Sequence, residues 1–243
     1  MRISVAMAVY NGSQYIEEQL ASILSQLGEE DEVIVSDDGS TDNTKEIVTG
    51  LSAEDVRIRV VDGPQQGLIK NFENALSECR GEYIFLSDQD DIWHPDKVEL
   101  VMQDFEEGAD LVLHDAQMVD DDKHMIAPSF FAWRGVRVGY AANLAKNSYI
   151  GCCMAFRRSI LDLALPFPEP IPMHDQWIGL LAEKYGTVYL EKKVLLDYRR
   201  HEGTATTSHH GTFRFMFNNR RNISKAIRIR CKEIEAKNKE EET

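Results

Sequence analysis

At 243 residues the chain is long enough to bury a sizeable core as one domain, or as one domain with an appendage, and the second division is expected, at 1–205 and 206–243. Hydrophobic residues at 43% and charged residues at 28% exclude a disordered or membrane-spanning chain. A net charge of −14 excludes nucleic acid as the partner of the body, because a phosphate backbone selects basic surfaces.

The apolar run 3–9 ends at Asn11-Gly12, and Ile16, Leu20, Ile23, Leu24 and Leu27 then recur at helical spacing, which predicts strand, turn and helix. The run 3–9 is too short for a secretory signal, so it reads as the first strand. A second strand is expected at 32–36. It is followed by Asp37-Asp38-Gly39-Ser40-Thr41-Asp42-Asn43, dense in turn formers and caps, and by a helix through Ile47 and Val48. A third strand is expected at 56–61, a helix at 68–77 and a fourth strand at 82–86. Pro95 suits the first turn of a helix reaching Phe105, and 110–113 reads as a fifth strand. This alternation predicts a mainly parallel sheet covered by helices on both faces, an α/β fold.

Past residue 115 the alternation weakens into the acidic run Asp120-Asp121-Asp122 and an aromatic loop holding Phe130, Phe131 and Trp133. Further elements are a strand at 154–156, helices at 158–165 and 174–185, and strands near 188 and at 194–198. The prolines between 166 and 172 cannot be helical throughout.

The feature with most chemical content is Asp88-Gln89-Asp90-Asp91, directly after the fourth apolar run. The end of a buried strand delivers these carboxylates to one region, where their repulsion must be offset. Oxygen ligands of this kind suit Mg²⁺ or Mn²⁺ rather than zinc; the competing reading is a polar turn capping the next helix. Open parallel sheets bind ligands at the carboxyl ends of their strands, so Ala8, Tyr10, Asp38 and Asp88-Gln89-Asp90 are expected to line one crevice, with the chemistry of a nucleoside diphosphate site.

Six blocks, VAMAVYNGSQYIEEQLASILSQ from Val5, VSDDGSTDNT from Val35, GEYIFLSDQDDIWHP from Gly81, GCCMAFR from Gly151, HDQW from His174 and YRRH from Tyr198, together resemble a family 2 glycosyltransferase with the GT-A, Rossmann-like fold. The likeness covers about residues 1 to 203 and is closest to the branch that builds bacterial cell-surface polysaccharides, which includes rhamnosyl-, glucosyl- and galactosyltransferases. It implies transfer of a sugar from a nucleoside diphosphate sugar, UDP- or dTDP-linked, with inversion. Residues 1–115 would bind the donor and 116–205 the acceptor, a glycan or a polyprenyl-diphosphate-linked glycan. By motif, Ala8, Tyr10, Asp38 and Asp88 would meet the nucleotide and Asp90 the metal, while Asp91 is read as a cap of the helix near Pro95. Asp175 would be the base that takes the acceptor proton, and His174 structural. His201 would join the metal or diphosphate site, Arg199 and Arg200 the diphosphate, and Gly151, Cys152, Cys153 and Trp177 the acceptor. Family members often carry a hydroxyl residue where this chain has Cys153.

Two rivals stay open at this stage. A sugar-1-phosphate nucleotidyltransferase shares the sheet and metal logic but should carry a basic, Gly-rich loop after the first strand, where this chain has Tyr10-Asn11-Gly12. A non-catalytic nucleotide- or glycan-binding domain is the other. Four cysteines without Cys-x-x-Cys spacing point to a reducing cytoplasm. Between His209 and Lys232 seven Lys/Arg and no acid interleave with Phe215, Phe217, Ile223, Ile227 and Ile229. This basic amphipathic tail is expected to be helical and either to touch the anionic inner face of the membrane or to pack back on the acidic body.

Overall fold

Strand β1 (Ile3–Val9) is buried at all seven positions, which is why it reads as a continuous apolar run and not as an alternation. The computed structural model describes residues 2–201 and 213–241; the expected polar loop at 202–204, the start of the tail at 206–212 and the side chains at 213–215 lie outside the described residues. β1 is followed by α1 (Ile16–Leu24), β2 (Glu32–Asp37), α2 (Thr44–Glu54), β3 (Ile58–Asp62), α3 (Leu68–Glu78) and β4 (Tyr83–Ser87). Next come β5 (Ile92–Trp93), α4 (Lys97–Glu106), β6 (Leu111–Val119), β7 (Met125–Ala127), α5 (Phe130–Arg134) and α6 (Tyr140–Ala145). The chain continues through a 3₁₀ turn at Gly151–Cys153, β8 (Met154–Arg157), α7 (Arg158–Ala164), α8 (His174–Tyr185), β9 (Val188–Arg199) and α9 (Phe213–Glu241).

The strands form one sheet in the order β3-β2-β1-β4-β8-β6-β9-β5, with β7 paired to β6. β1 is parallel to β2 and β4, and β2 to β3. β8 inserts antiparallel between β4 and β6, and β6 runs parallel to β9. The register puts Val9 beside Asp37, Asp37 beside Asp62 and Met7 beside Ser87, so the carboxyl ends of β1 to β4 open along one edge. The chain winds outward from β1 to β3 and then returns to β4 on the other side of β1. That reversal is a topological switch point, where open α/β sheets form their ligand crevice.

Three expectations need correction. The strands foreseen near 188 and at 194–198 are one twelve-residue strand, β9, whose pairing with β6 is irregular at His114, Asp115 and Gln117. The aromatic loop at 130–133 is helix α5, capped by Ser129, whose Oγ accepts from the Ala132 N–H at 3.0 Å, and closed by Gly135 at φ 72°. Asp91 caps nothing: α4 begins at Lys97 with Asp96 at its N-cap, and the intervening Ile92–Trp93 pairs antiparallel with β9.

Candidate active site

The loops at the carboxyl ends of β1, β2 and β4 are tied together by side chains. Gln89 clamps Tyr10: its Oε1 accepts the Tyr10 N–H at 2.8 Å and its Nε2 donates to the Tyr10 carbonyl at 3.0 Å. This needs a glycine at position 12, since a Cβ there would sit 2.5 Å from the Gln89 amide. Gln19 Nε2 donates to Ser87 Oγ at 2.8 Å and to the Asp88 carbonyl at 3.1 Å, anchoring β4's end to α1. Asn71 Nδ2 donates to the carbonyls of Val9 and Ser36, joining β1 to β2. The sequence places Gln89 in the acid loop but carries no signal for the clamping roles of Gln89, Gln19 or Asn71, because an amide is as common on an exposed surface as in a buried clamp.

These loops enclose a cavity of about 580 Å³. Ala8, Tyr10, Asp38, Asp88 and Asp90 line it, together with Gly151, His174 and Asp175. The structure therefore brings the donor-side residues and the expected base to one space. Asp38 is partly engaged: its Oδ1 accepts from the Gln65 N–H at 2.6 Å and its Oδ2 from the Gly67 N–H at 2.8 Å, shaping the loop before α3. Tyr10 stands at the mouth, 54% exposed.

The acids differ in setting. Burial, with the neighbouring charges of Asp90 and Asp175, pushes Asp88 up to about 7. Asp91, 1% exposed, lies well above the carboxylate range for the same reason: desolvation first, then the charges of Asp90 and Asp88. Its Oδ1 accepts the Arg199 N–H at 3.1 Å while Oδ2 has no hydrogen-bond partner among the described residues. Asp88, Asp91 and the Cys152 thiol lie within 4.8 Å of one another. Beneath them Lys97, fully buried, donates to the Cys152 carbonyl at 2.9 Å and sits 3.8 Å from the Trp93 ring centroid. Desolvation lowers this ammonium to about 8, and it acts as a resident counter-charge under the acids.

Asp90 points to a different partner. Its Oδ2 is 2.7 Å from His201 Nε2, with both side chains partly accessible, at 14% and 12%. This contact follows from the β5–β9 pairing, which sets Ile92 against Asp197 and so runs β9's end alongside the acid loop. The His201 ring stacks on Tyr15, centroids 4.8 Å apart.

Asp175, 8% exposed, lies in the first turn of α8. Desolvation pushes it up to about 7, against the opposing pull of the Gln176 N–H, Asn147 Nδ2 at 3.2 Å and the Arg134 charge. A carboxyl held near neutrality has the proton affinity a general base needs. His174 stacks on Phe72 at 4.1 Å, neither ring nitrogen has a hydrogen-bond partner among the described residues, and burial lowers it to about 3.

Several expected contacts are not made. Cys152, Cys153 and Trp177 are fully buried and do not line the cavity; of the four residues expected at the acceptor only Gly151 does. Trp177 Nε1 donates to the Ala164 carbonyl and the ring packs in the core, because α8 is covered on its far side by α7 and α9. Arg199 is 5% exposed and turned toward α1, where it pairs with Glu18 at 2.9 Å and lies over the Tyr15 ring. Arg200 opens with His201 onto a separate hollow beside Asp120, Asp121 and Asp122.

Asp91 carries a testable consequence. A carboxyl raised above its unfolded value binds its proton more tightly in the folded state, so its favourable contribution is complete near pH 4 and is lost as pH rises toward its folded pKa. Asp91→Asn keeps the acceptor for Arg199 and removes the charge. Its melting temperature should equal the wild type's near pH 4 and exceed it at pH 8. A gap between the two proteins that is the same at both pH values would show that Asp91 is not raised.

The switch-point crevice, its acid cluster and the buried carboxyl at the head of α8 define a class: α/β proteins with a ligand-sized cavity at the carboxyl ends of a mainly parallel sheet. Within it, residues 4–163 match the glycosyl transferase family 2 model, and the chain belongs to that family. TuaG of Bacillus subtilis, named provisionally for teichuronic acid biosynthesis, is 29% identical over 210 residues, 81% of this chain and 78% of TuaG. The GT-A fold is shared with TarS of S. aureus, solved with UDP-GlcNAc, at TM-score 0.74 and 23% identity over 93% of this chain and 66% of that one. A mannosyltransferase from Pyrobaculum calidifontis, solved with GDP-Man and Mn²⁺, aligns at TM-score 0.60 and 20% identity over 81% of this chain and 56% of that one. The first relatives matched are longer proteins, of which this chain spans between 11% and 61%.

Proposed function

We propose that the chain transfers a glycosyl group, with inversion, from a nucleoside diphosphate sugar to a hydroxyl of a glycan or polyprenyl-diphosphate-linked glycan in bacterial surface polysaccharide synthesis. The observation that carries this reading is the convergence of Asp38, Asp88, Asp90 and Asp175 on one cavity at the switch point. The UDP-GlcNAc and GDP-Man complexes of proteins sharing the fold support a nucleotide-sugar donor. Residues 1–115 form the donor half and 116–205 the acceptor half, facing the cytoplasm.

Tyr10 packs at the base. Asp38, with one lone pair on each oxygen given to a backbone N–H, accepts from the base or ribose with the others, and Asp88 accepts from the ribose. The residues fit a divalent cation: carboxylate oxygen with one imidazole suits Mn²⁺, and Mg²⁺ through oxygen ligands, and Asp90 brings its oxygens beside the Asp88 and Asp91 carboxyls. Asp90 and His201 would hold the ion, whose chemistry is to neutralise charge on the departing diphosphate. Asp175 takes the proton of the attacking acceptor hydroxyl. The nucleotidyltransferase reading is the weaker one, since Tyr10 to Ser13 after β1 contain no basic residue to hold a triphosphate.

The test is thermal stabilisation by UDP-, dTDP- and GDP-sugars with Mn²⁺ or Mg²⁺. A donor at a hundredfold its Kd should stabilise by about 2.7 kcal/mol, roughly 5 to 10 °C for a chain of this size. Unchanged melting with every donor and metal would overturn the proposal, and stabilisation without any transfer to a glycan acceptor would favour a binding domain.

A further inference from the structure

Helix α9 packs back on the body with one face and leaves the other exposed. Its inner face packs on α6 and α8 through Ile223, Ala226 and Ile227, all buried. Arg220 Nε donates to the Ala145 carbonyl at 2.7 Å, and Arg230 reaches the carbonyls of Leu163, Leu165 and Pro166 at 2.6, 3.0 and 2.6 Å. These contacts set the rotation of the helix about its own axis.

With that rotation set, 3.6 residues per turn places Phe217, Arg221, Lys225, Arg228, Ile229 and Lys232 in one arc of about 120° on the opposite side. All six are exposed, Phe217 at 64% and Ile229 at 47%. None of the four cations makes an ion pair among the described residues. The body beneath is strongly acidic, so cations serving only to dock the helix would be expected on its inner face, where Arg230 lies. A row of four facing outward, flanked by two uncovered apolar side chains, complements an anionic surface with an apolar layer behind it.

We propose that this face of α9 docks the protein on an anionic lipid bilayer, with Arg221, Lys225, Arg228 and Lys232 at the headgroup phosphates and Phe217 and Ile229 entering the interface. The contact is peripheral: among the described residues no helix is long and apolar enough to cross a membrane. It does not depend on the transfer reading, since none of these residues lines the cavity. Each cation near an anionic surface contributes about fivefold in affinity, and the four together on the order of several-hundredfold.

The experiment is flotation of the full chain with vesicles of phosphatidylglycerol and phosphatidylcholine in equal parts, against phosphatidylcholine alone. The protein should float with the anionic vesicles only, and less as salt rises. Changing Arg221, Lys225, Arg228 and Lys232 together to Glu should abolish flotation while the melting temperature stays within a few degrees of wild type. Phe217→Ser, which leaves every charge in place, should weaken binding severalfold and confirms the orientation if the quadruple variant fails to fold. Equal flotation with both vesicle types, unchanged binding by Phe217→Ser, or equally tight binding to duplex DNA would overturn the proposal, the last by showing a general polyanion surface.

Discussion

Asp175→Asn is expected to lower glycosyl transfer by about 10²–10⁴-fold, the range that a positioned general base contributes. The substitution is close to isosteric and retains an oxygen to accept the Gln176 N–H, so the head of α8 should keep its form. What disappears is the ability to take a proton. Donor affinity, measured calorimetrically, should stay within a fewfold of wild type, because the role proposed for Asp175 is on the acceptor side. The wild-type rate should also depend on pH in a definite direction. A base displaced upward to about 7 is protonated and idle below that value, so kcat should rise through pH 7 and then level. The idea fails if the variant transfers at wild-type rate, or if the rise is unchanged in it.

Asp90→Asn tests the other end of the cavity. Replacing the carboxylate that faces His201 takes a ligand from the proposed cation site, and the leaving diphosphate would lose the neutralisation an ion there would supply. Loss of one preorganised electrostatic group typically costs on the order of 10²–10³-fold in kcat. Metal-dependent stabilisation by donor should disappear, while a nucleoside alone, for which Tyr10 and Asp38 are the proposed contacts, should bind as before. Undiminished metal-dependent stabilisation in Asp90→Asn would move the site to Asp88, Asp91 and Cys152, where the Lys97 ammonium already supplies positive charge.

The order of elements from β1 to β4 was legible because each strand is a largely apolar run cut by Gly, Asn or Asp. The third strand starts two residues later than periodicity suggests: Asp55 pairs with Arg57, whose guanidinium reaches the carbonyls of Leu24 and Leu27, so 55–57 is spent on a turn. The short elements β5, β7, α5 and α6 were not legible, since so few positions, without a marked apolar run, hold no period. Arg199 and Trp177 were misplaced for a related reason: spacing gives a residue's face only once its neighbours are known, and Glu18 and α9 are distant in sequence.

By itself the sequence determined the kind of fold and which acids gather at its carboxyl edge, because strand ends and turn chemistry are local properties. Only the tertiary structure decided how those acids divide. Burial separates Asp91, shut in above Lys97, from Asp90, open to His201, and raises Asp175 to near neutrality. These are consequences of desolvation and of charges brought together from up to about a hundred residues apart along the chain, and no window of sequence contains them.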